Sequence, residues 1–326
     1  MPSSPSITVI ILLVCFIGSL AAFVIAAAAR RSRVPRHQQL APATAGWTPE
    51  ESPNPVEPAR AGEFPYQPPQ VLGSPEFPPP PLPLGKVAVW PYRMLDLLWM
   101  GFIVLTFSLL SIGNARFAES KAEVVITAQG LAQSIGFQLV ITALTVMIVV
   151  WRVHPVTWLG LRWPGWRWVL LIGPVSVLAM WALSVGLYLG GYMRLMEALG
   201  VESTQDSVKL LQETKDPAVL ALMALAAVLV APLCEELVFR GYLYPAAKRF
   251  AGPWVAGAAT ALIFAAAHGS LAPLLPLFVF GAMLVLAYEL TGSLWAPIAM
   301  HFCFNGATVG IQLIARASGI ELPVPQ

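Results

Sequence analysis

Eight apolar segments divide this 326-residue chain and constrain its fold more than any other feature. The longer segments have the roughly 20 residues that an α-helix needs to cross a hydrocarbon core of about 30 Å. In lipid each backbone N–H and C=O must be satisfied within the structure, which favours helices. The sequence therefore predicts an all-α, polytopic membrane bundle of about eight spans. They are Ile7–Ala29, Met94–Ile112, Gly130–Trp151, Val169–Gly190, Ala218 to about Glu236, Val255–His268, Leu275–Leu290 and Leu294–Ala315.

The composition fits a lipid environment better than a soluble core. Hydrophobic residues make up 57% of the chain and charged residues 11%, whereas about 25% charged residues are usual in soluble domains. The net charge is +2 and no basic run is long enough to indicate a nucleic-acid partner. We expect an integral, multi-pass protein of a bacterial cytoplasmic membrane, with the lipid bilayer as its surroundings.

Three domains are predicted. Residues 1–33 form a membrane anchor, and the arginines that follow its apolar run place its C-terminal end in the cytoplasm. Residues 34–88 form a disordered Pro-rich linker, because fifteen of the thirty prolines fall between Pro35 and Pro83. A spacer is the predicted role of the linker, and a partner protein that binds a P-x-x-P match is the alternative. Residues 89–326 form the main membrane domain with the other seven spans.

A cluster of charges lies at the end of the fifth apolar segment. Glu235, Glu236 and Arg240 would be costly in hydrocarbon, so they form a functional-site hypothesis by default. On a helix Glu236 and Arg240 are four residues apart and share a face, so Arg240 can neutralise Glu236. Glu235 points elsewhere and is the predicted general base. The alternative is a structural ion pair at a helix end.

Two later apolar segments contribute further polar groups. His268 ends the sixth segment, and His301 and Asn305 share a face of the eighth because they are four residues apart. The other two histidines, His37 and His154, lie outside the spans. Each group alone is explained as well by a hydrogen bond between spans. Together with the acidic cluster they predict one buried site.

Two kinds of chemistry remain open for this set. A glutamate and a histidine can deprotonate a water molecule, while a second histidine and an asparagine amide stabilise the oxyanion that forms on an amide carbonyl. Alternatively, Glu235, His268 and His301 supply the ligands of a catalytic zinc ion with water in the open position. The predicted cofactor is therefore either none or zinc. Both schemes end in hydrolysis of a peptide bond.

The same residues carry a family resemblance. The motifs E-E-x-x-x-R from Glu235, F-x-x-x-H from Phe264 and H-x-x-x-N from His301 occur in this order. They resemble the CPBP family of CAAX-processing and bacteriocin-processing proteases, also called the Abi family. The resemblance covers about residues 205–310. It implies that residues 89–326 are an intramembrane protease domain of this type.

The resemblance also implies roles for individual residues. Glu235 matches the catalytic glutamate and His268 its partner in activating water, while His301 and Asn305 match the oxyanion site. The supporting positions are Glu236, Arg240 and Phe264, the last as part of an apolar wall. The implied activity is that of a CAAX prenyl endopeptidase-like peptidase on a membrane protein or peptide. Both a metalloprotease and a metal-independent glutamate mechanism have been proposed for the family.

Two further hypotheses compete with an enzyme. One is a non-enzymatic membrane scaffold, immunity factor or maturation factor on the same fold. The other is a transporter that uses Glu235 and Glu236 as a proton relay. The combined motifs favour the peptidase over both.

One geometric requirement follows from the span order. In a simple up-and-down topology Glu235 and His268 would lie in opposite halves of the bilayer, at about 1.5 Å of rise per residue. Their convergence requires tilted, broken or offset helices. Breaks are plausible at Gly241, Pro245, Pro253, Gly269 and Pro273.

Overall fold

A computed structural model describes residues 6–32, 85–119, 127–201, 214 and 216–319 of the chain. Most of the predicted linker, residues 34–84, and most of the polar loop between the fourth and fifth spans lie outside these described residues. The boundaries predicted for the anchor, the linker and the membrane domain therefore stay predictions.

The part of the chain that the structure describes is helical and contains no strand. The all-α prediction is confirmed, and every predicted apolar segment forms a helix. We number the helices α1 (Ile7–Ser32), α2 (Asp96–Glu119), α3 (Ala128–Val150), α4 (Pro155–Trp158), α5 (Val169–Leu189), α6 (Tyr192–Ala198), α7 (Pro217–Ala251), α8 (Pro253–Ala266), α9 (Leu274–Thr291) and α10 (Trp295–Ala317).

Seven of these helices are long and apolar enough to cross a membrane; the shorter ones are α4, α6 and α8, of which α8 is the longest. The spanning helices are α1, α2, α3, α5, α7, α9 and α10, with α5 extended by a 3₁₀ turn at Trp166–Trp168. Helix α8 has 14 residues, fewer than the roughly 20 that a full crossing needs. The described part of the chain is thus that of an integral, multi-pass membrane protein with seven helices of spanning length, and the sixth predicted segment forms a shorter apolar helix.

Helix α7 is much longer than its apolar run. It has 35 residues, or about 50 Å at 1.5 Å per residue, against a core of about 30 Å. Asp216 caps its start by accepting a hydrogen bond from the Ala218 N–H at 2.8 Å. The helix continues past Gly241 and Pro245, and two π-helical stretches lie within it, at Ala226–Val230 and Glu236–Leu243.

The length of α7 resolves the expected separation of Glu235 and His268. The helix runs sixteen residues beyond Glu235 to Ala251, and α8 then returns from Pro253 towards His268 over a similar number of residues. Gly252 makes the reversal between them with φ +86°, a conformation that favours glycine. The two residues therefore reach about the same depth through an offset of the helices, without a break in α7.

The first helix is packed into the bundle. It lies against α2 and α8, and its buried face includes Leu12, Phe16 and Phe23. The C-terminal ends of α1 and α7 consequently lie on the same side of the protein, where Arg30 comes close to Gly252.

Candidate active site

Glu236 is the centre of a buried charge cluster. Its side chain is 0% exposed, and its Oε1 accepts a hydrogen bond from Arg240 Nη1 at 3.0 Å. The pairing predicted from their spacing is therefore confirmed. The same Oε1 accepts a second hydrogen bond from His301 Nδ1 at 2.8 Å. Glu236 thus fixes the imidazole of His301 as well as balancing the arginine.

Arg240 is held on three sides. Its side chain is 1% exposed and its Nη2 donates to the Gly281 carbonyl at 3.2 Å. Its guanidinium carbon lies 4.3 Å from the centre of the Phe264 ring, in the range of a cation–π contact. Arg240 therefore joins α7, α8 and α9 around the acidic pair.

Glu235 points away from this ion pair and is more accessible. Its side chain is 23% exposed, and its Oε2 lies 3.9 Å from His301 Nε2, which is beyond hydrogen-bond distance. This oxygen is buried and has no hydrogen-bond partner among the described residues. Since buried polar atoms in proteins are nearly always paired, Glu235 Oε2 is placed to bind a water molecule or a substrate group.

His268 lies just beyond the end of α8. Its Nδ1 is 2.9 Å from the Phe264 carbonyl oxygen. Because a carbonyl only accepts, Nδ1 carries the proton of this hydrogen bond. In a neutral ring Nε2 is then a free acceptor, the form that a proton-accepting histidine requires.

Phe264 connects the two histidines. Its ring centre is 5.1 Å from that of His268 and 5.9 Å from that of His301, and both contacts are edge-to-face. Phe280 covers His301 from another side at 5.5 Å. The imidazoles and the arginine are therefore enclosed by aromatic rings that keep the surroundings apolar, and the role of Phe264 in a substrate-binding wall stays a prediction.

Asn305 lies one turn beyond His301 on α10, and its amide has a structural partner. Asn305 Nδ2 donates to the Ala227 carbonyl at 2.8 Å. In the π-helical stretch each N–H bonds a carbonyl five residues back, as Ala231 N–H does with Ala226 O. The corresponding partner of Ala227 O would be the N–H of Pro232, which proline lacks. Asn305 satisfies this carbonyl, and one N–H of its amide remains for another acceptor.

A second carbonyl of α7 is satisfied in a similar way. By α-helical spacing, the partner of Gly241 O would be the N–H of Pro245, four residues later, which proline lacks. Tyr92 OH donates to this oxygen at 2.5 Å and Trp158 Nε1 donates at 3.0 Å. Sequence reasoning did not predict this hydrogen-bonding role for Tyr92 or Trp158. The signal that could have found them is a proline four residues after a buried position.

Two other acidic residues form ion pairs away from this cluster. Asp96 binds Arg152 with both carboxylate oxygens at 2.7 Å, and Glu289 binds Lys248 at 2.5 Å. Neither Asp96 nor Glu289 pairs with His301, whose acidic neighbours among the described residues are Glu235 and Glu236. Both pairs instead join helices within the bundle.

The predicted zinc ligands are Glu235, His268 and His301. Among the described residues no three His, Cys, Asp or Glu side chains come together in a group that could hold a metal ion. His301 Nδ1 is bonded to Glu236 and His268 Nδ1 to a carbonyl, which leaves Nε2 of each ring open, as in histidines that bind a metal. Glu235, His268 and His301 thus keep suitable donor atoms but do not form a preformed three-ligand group.

The structure thus brings most of the predicted residues into one place. Glu235, Glu236 and His301 are direct neighbours, Arg240 and Phe264 enclose them, and His268 joins through the Phe264 ring. Asn305 is on the same helix as His301 but is bonded to the backbone of α7. The role of each residue in a reaction stays a prediction.

A known protein family matches the part of the chain that contains the candidate site. Residues 217–307 match the family described as Type II CAAX prenyl endopeptidase Rce1-like, and all seven predicted site residues lie within that range. This match supports the resemblance to CAAX-processing proteases that the motifs predicted, over about the same part of the chain.

A curated relative matches over a similar length. It is the "Putative membrane peptidase YdiL" of Bacillus subtilis (strain 168), which is 30% identical over 92 residues. The matched region is 28% of this chain and 38% of the relative. No solved structure gives a significant match.

Proposed function

We propose that this protein is an intramembrane endopeptidase that hydrolyses peptide bonds of membrane-associated proteins or peptides without a metal ion. The family match supports a membrane peptidase in general. The observation that carries the proposal is Glu235 Oε2, a buried carboxylate oxygen with no hydrogen-bond partner among the described residues, which lies 3.9 Å from an imidazole nitrogen of His301, the ring that Glu236 orients.

In this mechanism Glu235 and His268 activate water. The Glu235 carboxylate takes a proton from a bound water molecule while His268 Nε2 accepts a hydrogen bond that orients it. The resulting hydroxide attacks the carbonyl carbon of the scissile peptide bond. The C–N bond then breaks, and the proton held by Glu235 passes to the leaving amine, which yields one new carboxyl and one new amino terminus.

His301 and Asn305 would stabilise the negative oxygen of the tetrahedral intermediate. His301 donates from Nε2 when both ring nitrogens carry protons, and Glu236 on its Nδ1 side supplies the balancing charge. Asn305 donates the N–H that is not bonded to Ala227 O. Removing one such donor typically lowers the rate by about 10²–10³.

The substrate class follows from the depth of the site. Glu235 lies nineteen residues into α7, about 28 Å from its start at 1.5 Å per residue, and is enclosed by membrane helices. A peptide bond reaches it when its chain lies in or beside the bilayer. We therefore propose membrane proteins or membrane-associated peptides as substrates, with prenylated C-terminal peptides as one class among them.

The test compares new protein termini in cells that express the wild-type chain, Glu235→Gln, or Glu197→Gln. Glu197 is an exposed residue of α6, so its variant controls for the same chemical change outside the site. We expect N-termini within or next to membrane segments that appear with the wild type and Glu197→Gln and are lost with Glu235→Gln. The purified wild type should then cleave the identified peptide in liposomes.

A folded Glu235→Gln protein that produces the same termini as the wild type would refute the proposed general base. If Glu235→Gln also keeps the full cellular phenotype, a scaffold or maturation factor on this fold becomes the better explanation.

A further inference from the structure

A cleft with a positively charged mouth lies on the side of the protein opposite the start of α7. Its volume is about 1100 Å³, and Arg30, Arg31 and Arg249 line it. Arg30 and Arg31 are in the last turn of α1, and Arg249 is in the last turn of α7. The cleft is thus built where two membrane helices end together.

Arg30 and Arg249 supply positive charge at the mouth of this cleft. Neither Arg30 nor Arg249 forms an ion pair with an acidic side chain in the described part of the chain. The nearby acidic residue Glu289 is already paired with Lys248. No aspartate or glutamate is among the described residues that line the cleft. The mouth of the cleft therefore attracts an anion.

The walls of the cleft are apolar. They include Phe23 and Val24 of α1, Met94 and Leu97 at the start of α2, and Phe250 of α7. Val24 is 54% exposed and Met94 is 62% exposed, so an apolar ligand would find open surface there. Arginines above an apolar wall match a molecule with an anionic head and a hydrocarbon body.

The position of the cleft specifies this molecule further. Basic residues at the ends of apolar helices mark the cytoplasmic surface of a membrane. Basic pockets between membrane helices on that side commonly bind anionic lipid headgroups. Arg30 also lies against Gly252, where a Cβ atom would collide with its guanidinium, so the turn between α7 and α8 helps to position this arginine.

We propose that this cleft is a binding site for an anionic phospholipid, with its phosphodiester at Arg30 and Arg249 and its acyl chains along Phe23, Val24 and Met94. The bound lipid would bridge α1 to the α7–α8 hairpin that carries Glu235 and His268. The site is distinct from the peptidase site and does not depend on the proposed peptidase activity.

The experiment measures lipid retention by native mass spectrometry of the full chain in detergent, titrated with phosphatidylglycerol or phosphatidylcholine. We expect one phosphatidylglycerol to bind the wild type in preference to phosphatidylcholine. The Arg30→Gln/Arg249→Gln variant should bind it about tenfold more weakly or worse, since each basic residue near a lipid surface contributes to attraction. The matched control is Arg162→Gln/Arg167→Gln, which removes two exposed arginines elsewhere and should bind like the wild type.

A second variant separates the apolar wall from the charge. Ala28 lines the cleft and is exposed, so Ala28→Trp should fill part of it without removing an arginine. We expect weaker phosphatidylglycerol binding by this variant with an unchanged apparent melting temperature.

Several outcomes would overturn the assignment. Equal binding of both lipids, or equal loss in the control variant, would mean that the cleft has no specific role. Displacement of the lipid by millimolar inorganic phosphate would identify a free anion as the ligand. Stronger lipid binding after Glu50, Glu51 and Glu57 are changed to Gln would mean that acidic residues of the chain itself occupy the cleft.

Discussion

Replacement of Arg240 by methionine tests the buried charge cluster most directly. Methionine keeps much of the length and apolar character of the side chain but removes the guanidinium. The change deletes the 3.0 Å ion pair with Glu236, the hydrogen bond to Gly281 O at 3.2 Å and the contact over Phe264 at 4.3 Å.

The expected loss of unfolding free energy depends on the partners that Glu236 keeps when Arg240 is replaced. Glu236 is 0% exposed, so without Arg240 its carboxylate is a buried charge whose remaining partner is His301. Removing one member of a buried ion pair typically costs about 3–5 kcal/mol. We expect Arg240→Met to lower the free energy of unfolding by about 4 kcal/mol. His301 offsets only part of the loss of the ion pair, and the cation–π contact with Phe264 is worth about 1–2 kcal/mol in a desolvated site.

The double variant Glu236→Gln/Arg240→Met gives the contrast. It removes both charges, so no uncompensated carboxylate remains in the core. Replacement of a whole buried pair by groups of similar volume is often close to neutral. We therefore expect the double variant to be destabilised by no more than about 2 kcal/mol, less than Arg240→Met alone.

The assay is unfolding by sodium dodecyl sulfate in mixed micelles, followed by tryptophan fluorescence. The chain has 11 tryptophans, which provide the signal. Arg194→Met, an exposed arginine of α6, is the control and should change the free energy of unfolding by less than about 0.5 kcal/mol. A cost below about 1 kcal/mol for Arg240→Met would refute the reasoning. So would a double variant whose cost equals the sum of the two single variants.

Two further predictions concern the hydrogen bonds to the Gly241 carbonyl of α7 and the independence of the activity from zinc. Trp158→Phe removes one hydrogen bond to Gly241 O and should lower the free energy of unfolding by about 1 kcal/mol in the same assay. The loss is small because Tyr92 still donates to Gly241 O. A loss above about 3 kcal/mol would mean that the indole has another role. Chelation with EDTA should leave the peptidase activity unchanged, and the purified protein should contain less than stoichiometric zinc. The reason is that no three-ligand group is present among the described residues. Activity that is lost on chelation and restored by zinc would contradict the metal-independent mechanism.

Local patterns predicted the helices and one of the key contacts. The apolar segments define where helices form, because a backbone in lipid has few other ways to satisfy its hydrogen bonds. The Glu236–Arg240 pair follows from a spacing of four residues on one helix. The family motifs identified residues that the structure then places around one cluster.

Contacts between distant helices were not available from these patterns. His301 bonds Glu236 across 65 positions, Asn305 bonds Ala227 across 78, and Trp158 bonds Gly241 across 83. The sequence reasoning assigned Glu236 to Arg240 alone and gave Asn305 no backbone partner. Nothing in the local spacing indicates which helix face will meet which.

The sequence by itself determined that this protein is a helical membrane protein with a small set of polar residues in or beside three of its last four apolar segments. Period, length and charge are properties of neighbouring residues, so they can be read along the chain. Only the tertiary structure decided the depth at which those residues meet. That depth depends on how far α7 continues beyond Glu235 before Gly252 reverses the chain, and on side chains from other helices that satisfy the carbonyls left open by Pro232 and Pro245.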